Sequence, residues 1–378
     1  MGTSRGIRSL VSQQKDSAAA TRELIEQLDG LEPSVLIFFA APSHDGGAIS
    51  RWLKERFIAA QVIGCTTAGE FSERGMHSGG VTALALDKSK IARCSSRLVR
   101  YGLAPESATV EAVKAMSAEL DIPNIRAADP ERYVGIVLFD GLSGNEEHVN
   151  EVLGDIAPML SFVGGSAADD LEFRNTKVFC NGEEAAEGAA LLLIEAAVPF
   201  SIGKTCSYAP TDKTFRITSA DAENRVVYEL NGRPVLDVYS EAVGTTPDKM
   251  DASVFMMHPV GLMIDDEAWI RSPQRVLPDG GLKFYCRIAE GMEVRLMNST
   301  DLVGDARRAV ARAEKELGGP VAGGLAFNGV LQRMLMDAKN LHADFLNAFD
   351  GLQVSGFHTY GESWLGHINQ TLTAVWFA

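Results

Sequence analysis

Short apolar runs alternate with amphipathic stretches along most of the chain, and the same order of elements returns three times. The first group has an apolar run at residues 35–40, a helical pattern at 49–59, and apolar runs again from residue 62 and at 81–86. Short apolar runs between turn residues indicate buried strands, whereas apolar positions three and four residues apart indicate a helix. The pattern therefore predicts a strand–helix–strand–strand unit.

The same unit is predicted twice more. The elements of the second copy are a strand at 136–139, a helix at 146–153, and strands at 162–164 and 189–194. The elements of the third copy are a strand at 324–327, a helix at 331–349, and strands at 354–359 and 371–377. In each copy a glycine is followed six positions later by an acidic residue: Gly64 and Glu70, Gly164 and Asp170, and Gly356 and Glu362. This recurrence predicts that one unit has been duplicated.

Strands joined by a helical crossover pair in parallel, and a strand reached by a shorter loop pairs antiparallel. The predicted fold class is therefore α/β, of the α+β kind, with mixed sheets built from the repeated units. Further covering helices are predicted at 16–28 and 107–120. Residues 200–300 differ, because their short strand patterns are separated by turn residues such as Asn231-Gly232. This segment predicts a β meander inserted in the C-terminal half.

The chain has 378 residues, a length that predicts two or three domains. We place the break near Val198 and Pro199, where the second copy ends and the meander begins. The first predicted domain is 1–199, with internal copies at 31–87 and 133–196. The second is 200–378, with the meander at 200–300 and the third copy at 321–378.

Charge and cysteine usage narrow the class of protein. A net charge of −15 argues against a nucleic-acid partner, because such partners are bound mainly through Lys and Arg. No apolar run approaches the roughly 18 residues of a membrane span, and residues 1–20 lack the apolar segment of a secretory signal. The five cysteines form no CxxC pair, so neither a disulfide framework nor a thiolate zinc site is indicated. We expect a cytoplasmic protein with no membrane span.

Common catalytic signatures are absent from the sequence. It contains no GxGxxG, no phosphate-binding Walker loop, no HExxH and no GxSxG. We therefore expect a protein that is not an enzyme. An alternative is an enzyme that uses Cys65 as a nucleophile, or an acidic residue with His358 as a base.

The acidic residues of the three copies fall where ligands are commonly bound. In sheets with crossover helices, ligands tend to lie beyond the carboxyl ends of the parallel strands. Glu70, Asp170 and Glu362 either line such crevices or, alternatively, cap turns and face solvent.

Arg333 and Glu362 form the sharpest candidate pair. Arg333 lies early in the predicted helix of the third copy, where its forked donors suit a carboxylate, and Glu362 is flanked by Tyr360 and Gly361. If both faced one crevice, the pair would complement a small zwitterion, with the carboxylate on Arg333 and the ammonium on Glu362. The alternative for Arg333 is a surface salt bridge.

Two histidines flank the same glycine- and aromatic-rich loop. His358 and His367 lie on either side of residues 360–366. A neutral imidazole can bind a haem iron, and arginines can pair with the propionates. His367 and His358 are therefore candidate metal ligands, and the alternative is that both are ordinary surface or core residues.

Several of these segments resemble the FIST family, whose domains act in intracellular signal transduction. Residues 62–70 resemble its N-terminal motif, and residues 162–170, with Phe173 and Thr176, resemble the segment that follows. Residues 226–234 and 356–362, continued by Asn369-Gln370-Thr371, resemble its C-terminal half. The resemblance covers nearly the whole chain from about residue 20.

The resemblance implies a bacterial sensory module that binds small ligands such as amino acids. Residues 366–371 are similar to a subgroup that binds haem, senses nitric oxide and acts on a separate histidine kinase or cyclic-di-GMP enzyme. One departure weakens the haem expectation: residues 328–333 contain no cysteine where a Cys-x-x-Arg element is expected. No kinase, cyclase or receiver segment is attached, so we expect output through a separate protein.

The leading hypothesis is thus a non-catalytic sensor whose ligand binds in the C-terminal half. The expected ligand-binding residues are Arg333, Tyr360, Gly361, Glu362 and Asn369, and the expected haem ligands are His367 and His358. An amino-acid sensor without haem, the enzyme named above and a scaffold without a ligand are the alternatives. The sequence leaves the oligomeric state open.

Overall fold

The computed structural model of the protein describes residues 6–378, so the first five residues of the segment at 1–20 lie outside the described part. The strands up to residue 196 are β1 (Ile7–Ser12), β2 (Pro33–Ala40), β3 (Gln61–Thr66), β4 (Glu70–Ser72), β5 (Gly75–His77), β6 (Val81–Asp87), β7 (Ile91–Arg100), β8 (Tyr133–Phe139), β9 (Phe162–Ser166), β10 (Val178–Cys180), β11 (Glu183–Ala185) and β12 (Gly188–Ala196). Those that follow are β13 (Phe200–Cys206), β14 (Tyr208–Asp221), β15 (Val226–Leu230), β16 (Arg233–Pro234), β17 (Val260–Ile264), β18 (Glu267–Arg271), β19 (Pro273–Val276), β20 (Leu282–Phe284), β21 (Glu293–Ser299), β22 (Gly323–Gly329), β23 (Gln353–Thr359), β24 (Glu362–Trp364), β25 (His367–Ile368) and β26 (Thr371–Phe377).

The helices lie between these strands and on the outer faces of the sheets. They are α1 (Ser17–Glu26), α2 (Gly46–Arg56), α3 (Pro105–Glu119), α4 (Glu146–Ile156), α5 (Val235–Val243), α6 (Ala252–Phe255), α7 (Leu302–Leu317), α8 (Val330–Lys339) and α9 (His342–Leu346). Short 3₁₀ turns occur at Ile125–Ala127, Pro247–Lys249 and Asn347–Phe349. Within the described residues, no helix is long and apolar enough to cross a membrane.

The three predicted strand–helix–strand–strand units are present. They are β2–α2–β3–β6, β8–α4–β9–β12 and β22–α8–β23–β26. In each unit the strands on either side of the helix pair in parallel, and the last strand pairs antiparallel with the first. The predicted α+β class with mixed sheets is thereby confirmed.

Each unit forms the centre of a six-stranded sheet, and the three sheets have the same plan. Their orders are β1-β6-β2-β3-β10-β11, β7-β12-β8-β9-β24-β25 and β13-β26-β22-β23-β4-β5. The last two strands of every sheet come from a different unit. We call these pairs, β4–β5, β10–β11 and β24–β25, the exchange arms.

The exchange arms close a ring. The arm that follows β3 pairs with β23, the arm that follows β23 pairs with β9, and the arm that follows β9 pairs with β3. The three units are therefore interlocked, and the loops that lead into the arms lie where units meet.

One core cluster joins the facing surfaces of all three sheets. The rings of Phe39, Phe327 and Phe357 lie 4.7 to 6.1 Å apart in it. Separate clusters bury the outer surfaces beneath helices, with α1 and α2 on the first sheet and α3 and α4 on the second. Strands buried on both faces read as continuous apolar runs, which is why the sequence predicted them.

Two helices begin or end at residues other than those predicted, because of local capping and backbone conformation. Helix α2 begins earlier than the predicted 49–59, because Asp45 caps it by accepting from the backbone N–H of Ala48. The predicted helix at 331–349 is interrupted where Asn340 takes a left-handed conformation with φ of 55°. That residue ends α8, and α9 and a 3₁₀ turn follow.

A fourth sheet contains most of the predicted meander. Its order is β18-β17-β21-β14-β15-β20-β19, with β16 beside β15, and its pairs are antiparallel. The sequence pattern predicted neither α5 and α6 inside this region nor α7 after it. Strand β13 belongs to the third sheet, where it pairs with β26.

Candidate functional site

The acid loops run from the ends of β3, β9 and β23 toward the exchange arms. Glu70 and Glu362 are the first residues of arms β4 and β24, and both are fully buried. Asp170 instead lies in a longer loop, with φ of 53° and a half-exposed side chain. The sequence spacing treated the three acids alike, whereas only Glu70 and Glu362 are structurally equivalent.

Glu362 uses one carboxyl oxygen and leaves the other unpaired. Its Oε2 atom accepts from the backbone N–H of Thr371 at 2.8 Å and from the Thr371 hydroxyl at 2.6 Å. Its Oε1 atom has no hydrogen-bond partner among residues 6–378. Burial raises the pKa of Glu362 to about 8, so the neutral acid predominates at pH 7.

Asn369 presents a second unpaired atom nearby. Its Oδ1 atom accepts from the backbone N–H of Ser272 at 3.4 Å, which orients the amide. Its Nδ2 atom is buried and lacks a partner in the described part of the chain. The adjacent Gln370 is, by contrast, held on all sides by Tyr208, the Phe255 carbonyl and Ser272.

Glu362 and Asn369 line one narrow cavity. Its volume is about 10 Å³, room for roughly one water molecule. Tyr285 of the meander, Tyr360 and residues 329–331 at the start of α8 complete the walls. The cavity thus joins the third unit, its exchange arm and the fourth sheet.

A loop from the second unit packs against Tyr360 and Tyr285, two walls of this cavity. The Phe173 ring stacks on Tyr360 with centroids 4.6 Å apart and lies 6.2 Å from Tyr285. The Tyr360 hydroxyl donates to Asp169 at 2.5 Å and accepts from the Leu171 N–H at 2.8 Å. We call residues 169–175 the cover loop.

The cover loop holds a strained backbone. Leu171 and Phe173 have φ of 68° and 52°, a region that bulky residues seldom occupy. The Asp169 carboxylate maintains it by accepting from three successive backbone N–H groups, at residues 173 to 175. Strain that the surroundings enforce in this way is typical of functional loops.

Arg333 lies beside a different acid loop. Its guanidinium donates to the Ala68 carbonyl and stands 3.9 Å from Asp170 and 3.8 Å from Asp337. The structure therefore places Arg333 with the loop that precedes Glu70, while Tyr360, Glu362 and Asn369 share the cavity.

Glu70 repeats the environment of Glu362 in the first unit. The Thr67 hydroxyl donates to its Oε1 atom, and its Oε2 atom has no partner within the described chain. Burial is the main reason why the pKa of Glu70 is raised to about 8. Arg333 opposes that shift from a distance and Asp170 adds to it.

Gly361 allows a close contact with His367. A Cβ atom at residue 361 would lie 2.1 Å from Cε1 of the His367 ring, so only glycine fits without movement. The His367 ring is buried, and neither of its nitrogens has a hydrogen-bond partner in residues 6–378. Burial lowers the pKa of His367, which favours the neutral imidazole.

His358 is also buried, and its environment favours the neutral imidazole. Its Nδ1 atom is 3.1 Å from the amide nitrogen of Asn328, and its ring lies 5.2 Å from that of Phe71. Burial lowers its pKa well below the usual value. The side chain therefore packs as a core residue of the third unit.

The residues around His367 do not fit a haem in this arrangement. The ring is wedged against Gly361, and the cavity beside this arm holds about 10 Å³, far below the roughly 300 Å³ of a small ligand pocket. The described residues contain no group of three or more His, Cys, Asp or Glu side chains that could hold a metal ion.

Cys65 lies in the central core between the sheets. It is fully buried, and burial raises the pKa of its thiol well above the usual value. A nucleophilic cysteine needs a lowered pKa and access to its substrate. The geometry therefore gives no support to Cys65 as a nucleophile.

Wider cavities exist away from the buried acids. One of about 640 Å³ lies between α3 and α4. Another, of about 320 Å³, lies at the carboxyl ends of β2 and β3 and includes His44, Arg51 and Lys177. Neither contains Glu70 or Glu362, and the second is larger and more polar than the cavity under the cover loop.

Sequence reasoning missed four residues of the candidate site: Asp169, Phe173, Ser272 and Tyr285. Phe173 belongs to the family resemblance, which assigns it no role, and the glycine–acid spacing points to Asp170 instead of its neighbour Asp169. Ser272 and Tyr285 come from the meander, where no sequence signal pointed toward the third unit.

Comparison with known proteins gives two family matches and several relatives. Residues 34–233 match the FIST N domain, and residues 236–364 match the FIST C domain. An uncharacterised protein of Methanocaldococcus jannaschii is 26% identical over 278 residues, which are 70% of this chain and 53% of that protein. Uncharacterised proteins of two Mycobacterium tuberculosis strains are 23% identical over 375 residues, which are 94% of this chain and 93% of theirs. The chain thus spans about half the length of the archaeal relative.

Proposed function

The chain belongs to the FIST family, and we propose that it is a sensory protein that binds a small ligand beneath the cover loop. FIST domains are small-ligand sensory domains of signal transduction. One observation carries the choice of site: Glu362 and Asn369 each leave a buried polar atom unpaired at the same cavity. Buried polar atoms are nearly always paired, so unpaired ones at a cavity are typical of a binding site.

The cover loop gives the sensor two states. In the described state Phe173 stacks on Tyr360, a wall of the cavity, and the cavity has room for roughly one water molecule. A ligand larger than water requires Phe173 to move away from Tyr360, and it therefore stabilises an open state. A partner that contacts the cover loop or the exchange arm then reads which state is populated.

The output partner, on this proposal, is a separate signalling enzyme. The family resemblance suggests a histidine kinase or a cyclic-di-GMP enzyme, with the protein in the cytoplasm. The unpaired state of all five cysteines is compatible with a reducing compartment.

A ligand screen followed by thermal unfolding tests the site. We expect at least one member of a panel of amino acids and small organic acids to raise the melting temperature of the purified protein through binding linkage. Asn369→Ala should abolish that increase, and Phe173→Ala should alter it. Arg51→Ala, in the open cavity of the first unit, is the matched control and should leave it intact. Stabilisation lost in Arg51→Ala but kept in Asn369→Ala would place the ligand elsewhere.

The haem and nitric oxide version of the proposal has its own test. If haem binds to this site, hemin added to the purified protein gives a Soret band that His367→Ala removes and His358→Ala retains. Packing of His367 against Gly361 argues for the outcome without a band. An absent band would leave a ligand such as an amino acid as the version to pursue.

A further inference from the structure

The unpaired polar groups at the cavity under the cover loop share one hydrogen-bonding character. The atoms that lack partners belong to Asn369 and Glu362, and the start of α8 forms another wall. A ligand group that satisfies them must be complementary to their donor or acceptor character. The class of ligand therefore depends on which of these groups donate a hydrogen bond and which accept one.

Asn369 offers a donor. The backbone N–H of Ser272 requires an acceptor, so the Asn369 carbonyl oxygen must face Ser272. The NH₂ group then has no partner in the described chain, and Asn369 is one of the residues that line the cavity. Reversal of the amide would set two donors against each other.

Glu362 also offers a donor, because its environment suits a neutral acid. The side chain is 0% exposed, and among the described residues the donors to its carboxyl group are the N–H and hydroxyl of Thr371, which carry no charge. An unpaired carboxylate buried in this way is strongly unfavourable. Oε2 accepts both bonds from Thr371, so the acid proton belongs on Oε1, the oxygen at the cavity. The raised pKa of Glu362 agrees with this assignment.

The start of α8 contributes donors of the same kind. Gly329 is the N-cap residue and has no side chain to pair with the first turn. The first N–H groups of any helix lack partners within the helix, and together with the helix dipole they favour a negative charge. Residues 329–331 line the cavity, next to the two buried side chains.

We propose that this cavity binds an oxyanion, specifically the carboxylate of a small ligand, with Glu362 acting as a neutral hydrogen-bond donor. The inference rests on the proposed function and names its ligand class. It reverses the role expected of Glu362, which was to accept an ammonium group. The closed cavity has room for roughly one water molecule, so the carboxylate enters when Phe173 moves aside, and the rest of the ligand lies under the displaced ring.

Three small probes of similar size, one anionic, one cationic and one neutral, test the proposal. Propionate, n-propylammonium and propionamide are titrated into the full chain at pH 6.5, with thermal unfolding and calorimetry as readouts. Propionate should bind most tightly. Glu362→Gln keeps an NH₂ donor at the same place and should hold propionate affinity within about threefold of wild type, whereas Asn369→Leu should weaken it by about tenfold.

A readout that needs no ligand separates this inference from the proposed function. At pH 6.5 Glu362 and Glu70 should both be protonated, so the infrared spectrum should contain the carbonyl bands of two buried carboxylic acids. Glu362→Gln should remove one of these components, and Glu70→Gln should remove the other. Preferred binding of n-propylammonium, or loss of all binding in Glu362→Gln, overturns the inference while leaving a small-ligand sensor intact. Binding of none of the three probes also overturns it, and the ligand screen then decides the proposed function alone.

Discussion

Glu70 and Glu362 occupy equivalent positions at the starts of two exchange arms, and burial raises the pKa of each to about 8. In the unfolded chain a glutamate has a pKa near 4.3. Between these values the folded protein holds a proton that the unfolded chain has released. Each group therefore stabilises the fold at low pH, and that contribution is lost as the pH rises through about 8.

The first prediction concerns this pH dependence. The free energy of unfolding should fall between about pH 5 and pH 8, by up to about 1.4 kcal/mol per pH unit for each glutamate. Glu362→Gln and Glu70→Gln should each flatten the curve, because glutamine does not titrate, and the double variant should flatten it most. Denaturant unfolding from pH 5 to pH 9 measures this. Parallel curves for wild type and variants would mean that neither glutamate is buried as described.

A second residue-scale prediction concerns Gly361. A methyl group there would collide with His367, at 2.1 Å from Cε1, so Gly361→Ala should destabilise the protein by about 1–3 kcal/mol. The control is Gly154→Ala in α4, where nothing lies within 4 Å of the added atom and helix propensity favours alanine. Replacing His367 by alanine in the Gly361→Ala background should restore part of the loss. Equal effects of the two glycine substitutions would contradict the close contact.

At the scale of elements, the cover loop depends on one carboxylate. Both oxygens of Asp169 accept hydrogen bonds, from the N–H groups of residues 173 to 175 and from the Tyr360 hydroxyl. An asparagine has only one accepting oxygen, so its NH₂ group would face donors. Asp170, its neighbour, is half exposed and makes no comparable bonds among the described residues.

These neighbours make a matched pair for the third prediction. Asp169→Asn should speed amide hydrogen exchange across residues 170–176 by about tenfold or more, because it removes at least one buried bond. Asp170→Asn keeps a residue that tolerates positive φ and should leave the exchange rates unchanged. Similar rates in both variants would show that Asp169 does not hold the loop closed.

The sequence predicted the strand–helix–strand–strand units but not the exchange arms. Strands such as β2 are buried on both faces and appear in the sequence as apolar runs. They can therefore be predicted without knowing which strands lie beside them. Arms such as β4 are three residues long, too short for a periodic signal, and their partners are in other units. Only part of the cavity could be predicted. Tyr360, Glu362 and Asn369 lie close together in one recognisable loop of the sequence, whereas Tyr285 is distant in sequence and reaches the cavity through tertiary packing.

At the scale of the whole molecule, the arms tie the two predicted domains together. Strand β24 of the C-terminal half completes the sheet of β9, and β4 of the N-terminal half completes that of β23. The family matches meet between residues 233 and 236, and the division after residue 199 stays a prediction. Each part therefore depends for its stability on edge strands that the other part supplies.

The fourth prediction is that the interlocked units unfold together. Denaturant unfolding of the full chain should give one transition by fluorescence and by circular dichroism, because exposing one arm removes the edge partner of another unit. A fragment of residues 6–199 lacks β24, the partner of β9, and β23, the second partner of β4, so it should aggregate or bind a hydrophobic dye. Two separate transitions, or a monomeric and cooperatively folded fragment, would contradict interlocking.

Hydrogen-exchange mass spectrometry of the full chain, with and without a ligand that raises its melting temperature, locates the sensory site. Binding beneath the cover loop should change exchange in peptides covering residues 169–175 and 360–370 and leave the rest of the three sheets unaffected. Changes confined to the groove between α3 and α4, or to the cavity beside His44 and Arg51, would contradict a sensory site beneath the cover loop.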